Sequence, residues 1–345
     1  MEAKIVRPRI VAFEMTQRCP LHCRHCRAGA EQTTKDVLST DDCVKIIQSL
    51  ADYNICVVIL TGGEPLARPD LFEILEKSAD TRVTFSLATC GYFYDEPMAK
   101  RLRELGVVYV SFSIDGASAA EHDAFRGVEG AYAMTMKAVE AAKSAGMRFQ
   151  INTTVTTLNA GQVKQIAQTA AELGAICWNP FIFVPVGRGE AIRDLLLGAD
   201  EYERLLEELT ELRNILPIEL RLTCGPQFAR VARQKKARNA EKVRGCLAAG
   251  DFAFVSYRGD VQTCGFLEIS AGNLVENGFR FDLIWNESPY LNSLRDLSRY
   301  EGACGECGYL PVCRGCRARA MAITGSHFGQ DPICKLGEIE GRNRE

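Results

Sequence analysis

The chain has 345 residues, 47% hydrophobic and 25% charged, with a formal net charge of −3. This is an ordinary globular composition, with enough apolar residues for a large buried core. It lacks the overall basic field that would point to nucleic acid.

The opening MEAKIVRPRIVAF has no apolar stretch of signal-peptide length, and no run approaches the ~20 apolar residues of a membrane span. A cytoplasmic protein with no membrane span is expected. There are fifteen cysteines. In a compartment that keeps thiols reduced, tight cysteine spacing suggests metal rather than disulfides.

In chain order, the apolar runs predict strands over 9–14, 56–60, 82–87, 107–113, 148–155 and 176–184. Amphipathic stretches between them predict helices over 40–52, 70–79, 96–105, 130–144 and 160–173. Six strands alternating with helices imply an α/β fold, a parallel sheet curved into a partial (β/α)6 barrel of TIM type. Its sites would lie at the carboxyl ends of the strands.

After the loop PVGRG at 185–189 the pattern changes. A charged helix is expected over 200–216, and the basic run RVARQKKARNAEKVR at 230–244 reads as a solvated helix face, with an anion or partner site as the alternative. From Cys246 onward the chain is rich in Gly and Cys, with short strand-like runs such as 252–256. The expected organisation is a barrel over 1–190, a helical linker over 191–240 and a cysteine-rich domain over 241–345, in which bound metal supplies what apolar packing does not. Cys43, Cys56 and Cys177 fall in regular patterns and are expected to be buried core thiols.

The stretch RCPLHCRHCRAG places Cys19, Cys23 and Cys26 in the loop after the first strand. Three thiolates can hold three irons of a [4Fe–4S] cube and leave the fourth open to a small ligand. A zinc site completed by a distant cysteine is the alternative. The next strand runs into Thr61-Gly62-Gly63-Glu64-Pro65, whose glycines admit close backbone approach and whose carboxylate can receive a cationic amine.

CxxxCxxC followed one strand later by GGEP resembles the radical S-adenosylmethionine (SAM) superfamily. The resemblance implies that Cys19, Cys23 and Cys26 hold a [4Fe–4S] cluster whose open iron binds SAM. Gly62, Gly63 and Glu64 would meet the SAM amino group. Ser113 and Asp115 in SFSIDG, Asn152 in INTTVT and Arg126 in HDAFRG would supply further SAM contacts, with Arg126 suited to a carboxylate. His25 falls at an often aromatic position of the family. Thr89-Cys90-Gly91 departs from the family's frequent Asn-Gly turn and leaves Cys90 without a role.

Downstream, Cys246, Gly259-x4-Cys264, Cys304-x2-Cys307-x5-Cys313-x2-Cys316 and Cys334 resemble the SPASM/twitch-like extension of radical SAM enzymes. The family usually has CxxxC where this chain has its last CxxC. The resemblance implies one or two auxiliary [4Fe–4S] clusters. Cys304, Cys307, Cys313 and Cys334 would hold one; Cys246, Cys264 and Cys316 would hold another, its fourth ligand missing or supplied by Cys224. A zinc ribbon would use only four of these cysteines.

FQINTT, LTCGPQ, RGCL, CGFL, AGN and CRARA together resemble the iron-coproporphyrin decarboxylases, the heme b synthase branch of this family, over nearly the whole chain. This implies oxidative decarboxylation of two propionates of iron-coproporphyrin III, with a ferredoxin or flavodoxin as electron donor. No catalytic side chain is implied beyond the SAM-derived radical. Arg188, Arg193, Arg221 and Arg244 are candidates for the substrate carboxylates by position. The alternatives are a related heme or heme d1 precursor enzyme, a peptide maturase, and a zinc-binding regulatory protein without catalysis. Only 18 residues precede Cys19, which leaves no room for the peptide-binding winged helix that maturases often carry.

Overall fold

In a computed structural model, residues 7–32 and 36–337 are described. Nine strands form one sheet: β1 (Ile10–Glu14), β2 (Val57–Thr61), β3 (Thr84–Ala88), β4 (Val107–Ser113), β5 (Arg148–Val155), β6 (Cys177–Ile182), β7 (Glu219–Leu220), β8 (Phe252–Val255) and β9 (Val261–Gln262). Their order is β7-β6-β5-β4-β3-β2-β1-β8-β9. Every neighbouring pair is parallel except β8 and β9. The six alternating units expected between residues 9 and 184 are therefore present as β1 to β6.

The helices between them bury one stripe against the sheet. Helix Thr40–Asp52 buries Cys43, Ile46, Ile47 and Leu50, the i, i+3, i+4, i+7 spacing of a helix face. Ser39 caps it, exchanging hydrogen bonds with Asp42. The strands are rich in Val, Ile, Leu and Phe, and Val11, Phe13, Val58, Leu60, Leu87, Val110, Phe112 and Ile151 lie in one continuous core with the helix faces. A parallel sheet covered by helices reads as apolar runs of this kind.

Later chain extends the sheet on both sides. β7 adds to β6, and β8 lies parallel to β1 with Ile10 opposite Phe252. The run at 252–256 is thus not an isolated strand of the cysteine-rich part.

Two expectations are corrected. Cys56 is exposed, because the strand begins at Val57 and leaves Cys56 outside the core. The basic run at 230–244 is not one solvated helix. The helix ends at Gln234, and Arg230 is buried in an ion pair with Glu203 at 2.5 Å. The structure also contains a helix the sequence reading passed over, Ala119–Arg126. Its signal was the capping box Ser118-x-x-Glu121, present with both of its hydrogen bonds.

Candidate functional site

The carboxyl ends of β1 to β6 converge on one region. The loop after β1 carries Cys19 and Cys23, both 8% exposed, and the half-buried Cys26. Leu21, Ala28, Ala30, Val128, Met134 and Cys90 surround them. The three thiols thus lie in one small apolar cluster.

The loop is gripped from the other strand ends. After β2, the Gly63 amide donates to the Thr16 carbonyl at 2.8 Å and the Glu64 amide to the Arg18 carbonyl at 2.7 Å. A Cβ on Gly62 would collide with the Thr16 carbonyl, and one on Gly63 with the Arg18 carbonyl. Only glycine permits this contact, and Gly62 also has a φ of +154°. After β6, the Arg188 guanidinium donates to the Cys23 carbonyl at 3.0 Å and the Ala30 carbonyl at 2.7 Å, while its amide donates to the Cys26 carbonyl at 3.0 Å.

Glu64 is fully buried. Its carboxylate accepts from the Leu66 amide, the Thr89 hydroxyl and the Cys90 amide, the last at 2.6 Å. Burial nevertheless leaves its carboxyl above the ordinary range. The Glu64 side chain is thus spent on fixing the turn after β3. That turn in turn places Cys90, whose thiol donates to Cys19 and holds the Cys19 thiol below its usual range.

Asp115, at the end of β4, pairs with Arg126 at 2.6 Å, both buried. Burial works against the Asp115 charge, yet Arg126, with help from His25, His122 and the Thr154 amide, holds the carboxyl below its ordinary range. Arg126 also lies 3.9 Å from the Cys23 sulfur. His25 stacks on Phe125 with ring centroids 4.4 Å apart, and burial pulls its pKa down to about 4. Ser113 and Asn152 are register partners on β4 and β5, both half-buried.

The four candidate substrate arginines are not brought together. Arg188 grips the cysteine loop. Arg193 reaches the Ala322 carbonyl, Arg221 pairs with Glu219, and Arg244 is exposed.

Arg27 ties the loop to later chain. It pairs with Glu14 at 3.1 Å, donates to the Gly265 carbonyl and lies over the Phe254 ring. Beyond that contact sit two further thiol sets. Cys304, Cys307, Cys313 and Cys334 line one cavity together with Arg230, Arg314 and Asp331. In the other set, the Cys224 thiol donates to Cys316 and brings it down to about 7, and Cys264 interacts with both Cys246 and Cys316. By sequence the fourth ligand of this set was either missing or supplied by Cys224.

Between the two sets lies Asp331. It forms an ion pair with Arg319 at 2.8 Å, both side chains wholly buried, and accepts from the Cys316 amide at 2.7 Å. Arg317 lies 3.7 Å from the Cys304 sulfur. Arg317 and Arg319 fall inside the CRARA stretch without having been given a role, and nothing in the sequence pointed to Asp331.

Among the described residues, no three His, Cys, Asp or Glu side chains close on a single point as one ion requires. A multi-iron cluster is held at separate corners and makes no such demand. The all-sulfur donor sets, each with an arginine close by to offset thiolate charge, fit iron–sulfur clusters.

The family model for the Radical SAM superfamily matches residues 13–170, and that for an iron–sulfur cluster-binding domain, SPASM, matches residues 246–317. The chain is 39% identical over 339 residues to an AdoMet-dependent heme synthase of Methanosarcina barkeri, covering 95% of this chain and 96% of that one. It is 30% identical to the mycofactocin maturase MftC of Mycobacterium tuberculosis (strain H37Rv), covering 96% and 84%. Its fold is similar to that of native anSMEcpe with bound AdoMet, with a TM-score of 0.71 at 18% identity, covering 95% and 94%. Among the described residues, no helix is long and apolar enough to cross a membrane.

Proposed function

The chain belongs to the radical SAM superfamily and carries its SPASM iron–sulfur extension, and we propose that it converts two propionate side chains of iron-coproporphyrin III to vinyl groups, giving heme b. The observation that carries this reading is the 39% identity, spread over nearly the whole of both chains, to a protein named for heme synthesis. Each propionate loses one β-hydrogen atom, carbon dioxide and one electron. With a cluster and SAM bound at Cys19, Cys23 and Cys26, the site would supply the carbon radical that takes the hydrogen.

The chain's own residues then have distinct tasks. Cys19, Cys23 and Cys26 hold the SAM cluster. The backbone of Gly62 and Gly63 offers polar groups to the SAM amine, while Glu64 braces the turn after β3. The Asp115–Arg126 pair fixes the wall beside Cys23, and Ser113 at the end of β4, with its register partner Asn152 within β5, completes it. Cys304, Cys307, Cys313 and Cys334 hold one auxiliary cluster; Cys246, Cys264 and Cys316, with Cys224 as the fourth thiol, hold the other. Val184, Val186, Phe266, Leu267 and Ile269 pack around Cys264 and Cys316 and offer the apolar surface a macrocycle requires. The barrel of 1–190 does the radical chemistry and 241–345 takes up the released electron, with 191–240 joining them.

The test is an anaerobic incubation with SAM, reductant and iron-coproporphyrin III, read by mass spectrometry. Loss of carbon dioxide in step with 5'-deoxyadenosine formation is expected. SAM cleavage with unchanged porphyrin overturns the reading and turns attention to a peptide substrate.

A further inference from the structure

The proposed reaction releases an electron for each vinyl group formed, and that electron must leave the molecule. The basic run at 230–244, only partly used in the fold, lies where it could leave. Arg230, Arg233 and Lys235 are engaged: Arg230 with Glu203, Arg233 with the Ala229 and Val243 carbonyls, Lys235 with Glu207. Lys236, Arg238, Lys242 and Arg244 are exposed, and no ion pair engages them among the described residues. Glu241 is the one acid among them. This is a local excess of positive charge in a chain whose net charge is −3.

The strip is pinned at both ends to the turn that carries the surface-side thiols. At one end the Gln234 side chain donates to the Tyr309 hydroxyl at 3.3 Å. At the other, the Gly245 and Cys246 amides donate to the Val312 and Cys313 carbonyls, each at 3.0 Å. A Cβ on Gly245 would collide with that turn. The cavity lined by Cys304, Cys307, Cys313 and Cys334 is bordered by Arg230 and Arg314, and Cys304 and Cys307 are only half-buried. The exposed cations lie in the loop between these two pins, where the Arg238 backbone is held by Arg213 and Asn214.

We propose that the strip Lys236–Arg238–Lys242 is the docking surface for an acidic one-electron carrier protein, which accepts the electron from the cluster held by Cys304, Cys307, Cys313 and Cys334. The step is a simple transfer: the cluster is oxidised by one electron and the oxidised carrier is reduced by one. Opposite charges would steer the carrier and set its orientation, an effect felt in association rate and salt dependence. This inference rests on the assignment of those four cysteines to a cluster and on a reaction that releases an electron, whatever the substrate oxidised.

The experiment uses the anaerobically reconstituted full chain and an oxidised acidic flavodoxin as probe. Binding is measured by calorimetry from about 50 mM salt upward, and reduction of the flavin by the pre-reduced enzyme is followed by stopped-flow absorbance. The triple variant K236E/R238E/K242E should weaken low-salt binding at least about tenfold and slow flavin reduction to match. The difference from wild type should vanish as salt screens the charges. A control reversal on the outer barrel helices, K137E/K164E, should leave both readings unchanged. Wild-type binding that is absent or indifferent to salt overturns the proposal, as does a triple variant equal to wild type. Neither reading uses porphyrin, so a failed decarboxylation assay with salt-dependent flavodoxin binding counts against the substrate alone.

Discussion

The loop of Cys19, Cys23 and Cys26 and the eight thiols near the carboxyl end meet the same requirement by opposite means. The first sits on a barrel whose core is continuous and apolar. Strand ends grip it through Gly63, Glu64 and Arg188. The second set sits on helices as short as Gly302–Glu306 and Leu310–Cys313, the former with no buried residue, beside a small apolar cluster of Val184, Leu267, Cys316 and Ala318, while Phe281, Trp285, Leu291 and Leu294 nearby in sequence join the main core. A wholly buried ion pair, Arg319–Asp331, lies beside the thiols. The difference leads to an expectation: the barrel would hold its cysteine loop in place without metal, whereas the short helices around 302–316 would depend on it.

Removing one thiol from each region puts that contrast to its hardest test. Cys23→Ser should abolish SAM cleavage, yet confine faster amide exchange to the loop around residues 17–31. Cys313→Ser should raise exchange across 302–316 by about a hundredfold or more while β1 to β6 stay protected. Hydrogen-exchange mass spectrometry on the reconstituted proteins reads both. Equal, local responses to the two substitutions would erase the proposed distinction.

The buried ion pair gives the next largest effect. Arg319→Met leaves the Asp331 charge buried without its partner, a change that costs about 3–5 kcal/mol. Asp331 also holds the Cys316 amide and the Gln227 side chain, so the loss should reach both thiol sets. Denaturant unfolding should show the drop, with less auxiliary iron retained. A loss below about 1 kcal/mol would mean that packing already holds the region.

On the barrel side, Gly63→Ala places a methyl against the Arg18 carbonyl. Overpacking of this kind costs about 1–3 kcal/mol. Because the clash falls on the cysteine loop, iron retention at that site should fall more than global stability does. Gly161→Ala, whose Cβ would meet nothing within 4 Å, is the matched control.

How far these features were legible in sequence follows from how local their causes are. β4 and β5 match the expected ranges residue for residue, β5 through alternation, with Phe149, Ile151, Thr153 and Val155 buried. The CxxxCxxC loop was readable because its three cysteines lie within eight positions of chain. Cys224 was harder, since it meets Cys316 across 92 positions and no spacing records that. The pairing of β8 with β1 crosses more than 240 residues and has no local signal. Arg188 was picked out by position, but as a substrate contact; its grip on the Cys23 and Ala30 carbonyls depends on how the ends of β1 and β6 close together. Cys56 was misplaced because an apolar run does not say which of its first residues lies outside the sheet.

The smallest expected effect concerns pH, and it belongs to the barrel. His122 is buried beside Arg126, and its Nδ1 accepts from the Asp115 amide at 3.1 Å. Burial first, then Arg126, pulls its pKa down to about 4, and burial does the same to His25. In the unfolded chain both would titrate near 6.5. Unfolded protein therefore binds more protons than folded protein as pH falls below that value. Stability should be complete above about pH 7, decline as pH drops from about 6.5, and level off with respect to these two groups near pH 4. His122→Gln keeps an acceptor for the Asp115 amide but cannot take up a proton. It should flatten the decline, sparing about 1–2 kcal/mol at pH 5. Thermal melts from pH 7.5 to 4.5 measure this directly. An unchanged slope in the variant would place the acid sensitivity elsewhere, with the carboxyl-terminal thiol sets, whose ligands must be deprotonated to hold metal, as the first region to examine.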